Sequence, residues 1–151
     1  MGLDLYEEFV RLVSELESAG VEYAVVGALA LAIHGVPRAT TDIDLLVQPE
    51  VLQAALEVAR RCGFVVEADP IRFPDGMVVH RTNKFEGEDH LTLDFLLVDP
   101  NLLPAWESRF VVQTEDGPIR VISRDALIRM KAAAGRTRDL ADIEALREQD
   151  R

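Results

Sequence analysis

Two aspartates one residue apart, Asp42 and Asp44 in the run Thr41-Asp42-Ile43-Asp44-Leu45-Leu46-Val47, are the side chains whose type and spacing point most directly to chemistry. Alternate residues of an extended strand share a face and lie about 7 Å apart, so both carboxylates point one way while Ile43 and Leu45 point into a core. Ionised carboxylates this close repel each other, and burying them without a cation raises a pKa or costs stability. A hard divalent cation removes that cost, and carboxylates with open water positions suit Mg²⁺. A third acid, Asp94, lies in another apolar run, residues 90–97. There Leu91, Leu93, Phe95 and Leu97 alternate toward one face and leave Thr92, Asp94 and Leu96 on the other. Taken alone, Asp94 reads as a strand-edge acid paired with a surface base. Beside Asp42 and Asp44 it would complete a three-carboxylate, two-metal site for in-line displacement at phosphorus.

The elements that must position these acids follow from periodicity and turn residues. Val21, Tyr23, Ala24, Val25 and Val26 suit a buried strand, Gly27 breaks it, and residues 28–34 predict a short helix stopped by Gly35 and Pro37. Ahead of this, Leu5, Phe9, Leu12, Val13 and Leu16 recur at helical spacing within residues 3–19, with Gly20 as the stop. After the acid pair, Pro49 opens a helix to Cys62, and residues 64–66 form a short strand. Residues 68–76, with Pro70 and Pro74, read as an irregular connection, and residues 82–89 as a polar loop between strands 77–81 and 90–97. Residues 101–108 form a loop or short helix in which Trp106 is a core residue. Strands 109–113 and 118–122 then flank the turn Thr114-Glu115-Asp116-Gly117. Ser123 caps a helix that ends at Ala134 before Gly135, and Thr137 caps the last helix, with Asp139 in its first turn.

Within this frame, Val26-Gly27-Ala28-Leu29-Ala30-Leu31, His34-Gly35, Arg38 and Thr40-Thr41-Asp42-Ile43-Asp44 resemble the motif of the polymerase-β-type nucleotidyltransferase superfamily. In that motif a glycine pair or Gly-Ser opens a helix, the next strand carries Asp-x-Asp, and a later strand carries a third aspartate. Within that superfamily these residues are similar to the stand-alone bacterial domains grouped with the AbiEii and AbiGii toxins, the MNT-like domains. The resemblance extends weakly to Asp94 and to the segment from Lys131 to Asp142. Ala28 departs from the pattern, with a methyl group where the family usually has glycine or serine.

The resemblance implies an α/β fold, the minimal nucleotidyltransferase fold, with a mixed, partly antiparallel sheet of about five strands and packed helices. It implies that Asp42, Asp44 and Asp94 are the catalytic residues and hold two Mg²⁺ ions. Gly27, Ala28, Arg38 and Lys131 would bind nucleotide: backbone N–H groups after Gly27 would cradle phosphates at the helix start, and Lys131 would neutralise them. Arg38 would either clamp phosphate or pair with Asp42, while Asp139 and Asp142 are helix-start and salt-bridge residues. The implied reaction moves a nucleoside monophosphate from a triphosphate, ATP or GTP, to a hydroxyl of an RNA or protein acceptor, as in toxin–antitoxin pairs that include a regulator protein. Transfer to a small antibiotic-type molecule and a non-catalytic nucleotide-binding module are the other classes left open.

Bulk properties narrow these classes. At 151 residues with 48% hydrophobic residues, a single domain over 1–151 with a sizeable core is expected, too short to add a large acceptor-binding domain. One cysteine, Cys62, precludes an internal disulfide and reads as a buried structural thiol. No N-terminal apolar run suits a signal or membrane helix, so a cytoplasmic protein without a membrane partner is expected. The net charge of −11 argues against indiscriminate nucleic-acid binding. The charge is uneven: residues 124–138 carry five bases against one acid, a net +4 that leaves −15 for the remainder. Such a patch suits a small polyanion such as a nucleoside triphosphate, and the acid excess elsewhere suits a cationic small substrate. His34, His80 and His90 lack metal-ligand spacing, and His34 reads as a helix-end packing residue.

Overall fold

The structure, a computed structural model, describes residues 2–149, so Met1, Asp150 and Arg151 of the expected domain lie outside the described residues. The elements in chain order are α1 (Leu5–Ser18), β1 (Ala24–Val26), α2 (Gly27–Ile33), β2 (Asp42–Val47), a 3₁₀ turn (Pro49–Val51), α3 (Leu52–Arg61), β3 (Val66–Glu67) and β4 (Ile71–Arg72). They continue with β5 (Val78–Glu86), β6 (Asp89–Leu97), α4 (Leu103–Glu107), β7 (Phe110–Thr114), β8 (Gly117–Val121), α5 (Arg124–Ala134) and α6 (Thr137–Glu148). One mixed sheet runs in the order β3-β5-β6-β2-β1-β8-β7, with β4 also on β5, so the class is as expected but the strands number eight rather than about five. The centre of the sheet mixes directions: β2 is parallel to β6 and antiparallel to β1, and β1 is parallel to β8.

Each end of α1 follows its sequence. The Asp4 side chain accepts from the Glu7 N–H at 2.9 Å to cap the start, and Gly20, at φ +69°, takes the left-handed turn just beyond the end. Phe9, Leu12, Val13 and Leu16 bury the apolar stripe of α1. Ser123 caps α5 by accepting from the Ala126 N–H at 3.1 Å, and Gly135 (φ +65°) closes it. At α6 the cap differs from the expectation of Thr137. Arg136 is the capping residue, and Asp139 accepts its backbone N–H at 3.1 Å, because a carboxylate three residues on can reach back to an unsatisfied N–H.

The largest departure from the sequence reading concerns residues 82–89. They continue β5, which pairs with β6 along its whole length, and the chain reverses only at Gly87-Glu88. With Gly87 at φ +60° and no non-glycine residue at positive φ among the described residues, the turn suits the glycine-first hairpin type. Two polar residues in the second half of β5, Thr82 and Lys84, are structural. On one face Thr82 donates to the Phe64 carbonyl at 3.0 Å, and Lys84 reaches Glu8 of α1 at 2.8 Å and the Cys62 carbonyl at 3.0 Å. Residues 68–76, read as irregular, contribute β4, paired through Ile71 and Arg72 with Val79 and Val78.

Register partners share a face of a sheet, so the face of Thr82 also holds Leu93 and Ile43, and the adjacent Phe95 and Leu45, all fully buried. This is the core side, covered by α1 and α3, where Cys62 and Phe64 are also buried. Trp106 is buried as expected. His34 ends α2 with Nε2 2.8 Å from the Ile122 carbonyl and its ring 5.9 Å from that of Phe110, a packing role. No helix among the described residues is long and apolar enough to cross a membrane.

Candidate functional site

The opposite face carries the acids. Asp44 is the direct register partner of Asp94 in the parallel β2–β6 pair, and Asp42 is the partner of Thr92. Neighbouring strands lie about 4.8 Å apart, so Asp44 and Asp94 stand side by side and Asp42 lies diagonally beside them. Asp94 is buried, at 7% exposure, whereas Asp42 and Asp44 are partly buried. Burial first, then the charges of Asp94 and Asp42, pushes the Asp44 carboxyl up to about 7, against the opposing pull of Arg81 and Lys131.

Gly27 is shaped to this acid. Its φ is +68°, and a Cβ added there would lie 2.4 Å from Asp44 Oδ2, so glycine is needed both for the turn from β1 into α2 and for the approach of the carboxylate. The Asp42 backbone N–H donates to Thr40 Oγ1 at 2.6 Å, and the Thr41 hydroxyl donates to Asp42 Oδ1 at 3.2 Å, which orients the start of β2.

Beside Asp42 and Asp44 opens a cleft of about 160 Å³. Gly27, Ala28, Arg38 and Lys131, the residues that sequence reasoning assigned to nucleotide, line it together with Arg136 and Arg138. Three of these cations are built on carboxylates. Lys131 lies 3.0 Å from Asp142 Oδ2 and 3.5 Å from Asp139 Oδ1, Arg38 pairs with Asp142 rather than Asp42, and Arg136 Nε lies 2.6 Å from Asp139 Oδ2. Asp139 and Asp142 are both buried, and the Arg136 hydrogen bond holds the Asp139 carboxyl below the usual range. Lys131 is therefore a braced cation, with a side chain 12% exposed, rather than a freely solvated one.

Asp94 does not line this cleft. Both of its oxygens face Arg81, its direct register partner on β5: Nε donates to Oδ1 at 2.8 Å and Nη2 to Oδ2 at 2.9 Å. Arg81 is the residue that the sequence reading missed. Its signal was available, because a hairpin turning at Gly87-Glu88 sets residue 81 opposite residue 94, but that required residues 82–89 to be seen as strand. Arg81 thus offsets the charge of Asp94 from one side, while Asp94 and Asp42 still push the Asp44 carboxyl up.

By donor type the acids suit a hard divalent cation, although they do not stand as a ready ligand cluster. The three groups are carboxylates only, two open onto the cleft, and the missing Cβ of Gly27 leaves space at Asp44. Among the described residues, no three His, Cys, Asp or Glu side chains already stand in a ligating cluster.

No protein-family model matches this sequence, and no curated protein does. Solved structures do match its shape. A candidate nucleotidyltransferase from Thermotoga maritima is 19% identical over 98% of this chain and 94% of that one, with a TM-score of 0.65. The antibiotic-resistance factor ANT(2″)-Ia, in complex with adenylyl-2″-tobramycin, is 15% identical over 93% of this chain and 87% of that one, with a TM-score of 0.61. An antigenic nucleotidyltransferase-like protein from Paracoccidioides brasiliensis is 17% identical over 92% and 74%, with a TM-score of 0.56. At these identities the likeness is one of architecture, and this chain is built on the α/β fold of the nucleotidyltransferases.

Proposed function

We propose that the protein is a divalent-metal-dependent nucleotidyltransferase that moves a nucleoside monophosphate from a nucleoside triphosphate to an acceptor hydroxyl. The observation that carries this reading is the juxtaposition of Asp44 with Asp94 and Asp42, against a left-handed glycine turn and at the wall of a cationic cleft. Asp42 and Asp44 would hold the Mg²⁺ that accompanies the triphosphate, and Asp94 would join them in holding a second. Bound there, such ions neutralise phosphate charge and lower the pKa of a hydroxyl.

The chain itself supplies position and charge. Lys131, Arg38 and Arg136, each braced by Asp139 or Asp142, line the cleft as fixed positive charges for a triphosphate, and the backbone after Gly27 would approach it closely. Ala28 adds a methyl group and no hydroxyl, so recognition at that turn falls to backbone N–H groups. The acceptor oxygen bonds to the α-phosphorus as the bond to the β-phosphate oxygen breaks; pyrophosphate leaves and the hydroxyl proton passes to solvent.

For the acceptor, the resemblance to AbiEii-type domains supports a hydroxyl of an RNA or protein, in a toxin–antitoxin setting with a regulator partner. A second reading is favoured by the −15 charge outside residues 124–138 and by the architecture shared with ANT(2″)-Ia: a small cationic acceptor. One experiment separates the readings. Purified protein is incubated with Mg²⁺, each α-labelled triphosphate and total cell extract, and label in the RNA, protein or small-molecule fraction names the acceptor class. No label in any fraction, with no stabilisation by Mg²⁺ and triphosphate, would leave the chain a binding module at most.

A further inference from the structure

The three carboxylates are not equivalent. Among the described residues Asp42 and Asp44 form no ion pair, whereas Asp94 is held at both oxygens by one guanidinium at 2.8 and 2.9 Å. The pairing is built into the sheet. Arg81 and Asp94 are register partners on adjacent antiparallel strands, and Asp94 is in turn the register partner of Asp44. A row Arg81–Asp94–Asp44 thus crosses three strands on one face. A divalent cation shared by Asp94 and Asp44 must work against a monovalent cation a few ångströms away that already uses both Asp94 oxygens. The Asp94 side chain is 10% exposed, so water screens this competition weakly, while the Arg81 side chain, at 40%, has solvent into which it can swing.

We propose that Arg81 is a positioning residue: an internal cation that holds Asp94 out of the metal site until nucleotide is bound, so that the nucleotide-free protein accepts one divalent ion rather than two. This rests on the reading that Asp42, Asp44 and Asp94 serve metal ions. Arginine suits the exchange. Its planar fork matches the two oxygens of a phosphate as well as those of a carboxylate, so an arriving triphosphate offers Arg81 a replacement partner and frees Asp94. A lysine, a compact single-point charge, would hold Asp94 less completely. The order has a chemical consequence: the ion that activates the acceptor is loaded only when there is a nucleotide to transfer.

The test counts ions. Mn²⁺ is titrated into metal-free, nucleotide-free protein while the free ion is followed by electron paramagnetic resonance. Wild type should bind one Mn²⁺ per chain, rising to two per chain beyond those carried by free nucleotide when a non-hydrolysable triphosphate is added. Arg81→Met, which keeps the stem and removes the charge, should bind two without nucleotide. Arg81→Lys, which keeps a positive charge at this position, should also bind a second ion without nucleotide, more weakly than Arg81→Met does. A guanidinium acting only as a nearby charge would tighten the first ion and leave the count at one in both variants, which overturns the proposal. Two ions in nucleotide-free wild type also overturn it. If neither wild type nor either variant binds Mn²⁺, with or without triphosphate, the proposal falls together with the metal-site reading; a single ion throughout removes Arg81 alone.

Discussion

Asp44→Asn should stabilise the metal-free protein, by an amount that depends on pH. The Asp44 carboxyl is raised to about 7 by burial and by its neighbours Asp94 and Asp42, from an ordinary value of 3.8. A gap of about three units corresponds to about 4 kcal/mol, because each unit is worth about 1.4 kcal/mol. The sign follows from proton binding. Between pH 4 and 7 the unfolded chain has lost this proton and the native protein keeps it, so stability falls as pH rises through that window. The favourable contribution of the protonated acid is fully present below about pH 4 and is gone above about pH 7. At pH 8 wild type carries the whole cost, about 4 kcal/mol, and at pH 5 it carries about 1.5 kcal/mol. Asparagine is nearly isosteric and does not ionise. Allowing about half the ceiling for screening and for re-pairing of the amide, the gain at pH 8 is about 2 kcal/mol, or about 4–8 °C in Tm for a chain of this size. The assay is thermal unfolding in chelator-treated buffer at pH 5 and pH 8, followed by circular dichroism. The variant should melt above wild type, with the larger gap at pH 8, and should lose the stabilisation that Mg²⁺ plus triphosphate gives wild type. A variant that melts below wild type at pH 8, or a gap of equal size at both pH values, would refute the like-charge argument.

Four further substitutions should behave differently. Asp94→Asn breaks two charge-assisted hydrogen bonds to Arg81, so in metal-free buffer it should lower stability by about 1–3 kcal/mol, the opposite sign to Asp44→Asn, as read from chemical denaturation. Gly27→Ala places a methyl group 2.4 Å from Asp44 Oδ2 at a positive φ and should cost about 2 kcal/mol or more; Mn²⁺ titration should show weakened binding at Asp44. Asp139→Asn removes the partner of Arg136 and Lys131 and should cost about 3 kcal/mol at neutral pH. Because the Asp139 carboxyl is lowered, its contribution is present above about pH 4 and is lost as pH falls further, so the gap from wild type should close on acidification in urea titrations. Lys131→Ala leaves buried Asp142 and Asp139 with one cation fewer, and calorimetry should show both a lower Tm and weaker triphosphate binding.

The local part of this design was legible in the residues. The alternation of Ile43 and Leu45 with Asp42 and Asp44 is enough to set both acids on one face, and Leu91, Leu93 and Phe95 do the same for Asp94, because side-chain direction in a strand follows from parity alone. Gly27 between a buried strand and a helical run was likewise readable as a turn, and Gly20, Ser123 and Gly135 as helix ends. What no single segment contains is pairing. That Asp44 lies beside Asp94, that Arg81 closes on the same acid, and that Arg38 goes to Asp142 instead of Asp42 all depend on registers and approaches between segments far apart in the chain. The second half of β5 was hidden for a related reason. Its Thr82 and Lys84 read as loop residues until Phe64 and Glu8, supplied by other elements, satisfy them. Composition and parity are local properties of a chain, whereas the partner of a buried charge is chosen by whichever distant segment tertiary packing brings within hydrogen-bonding distance.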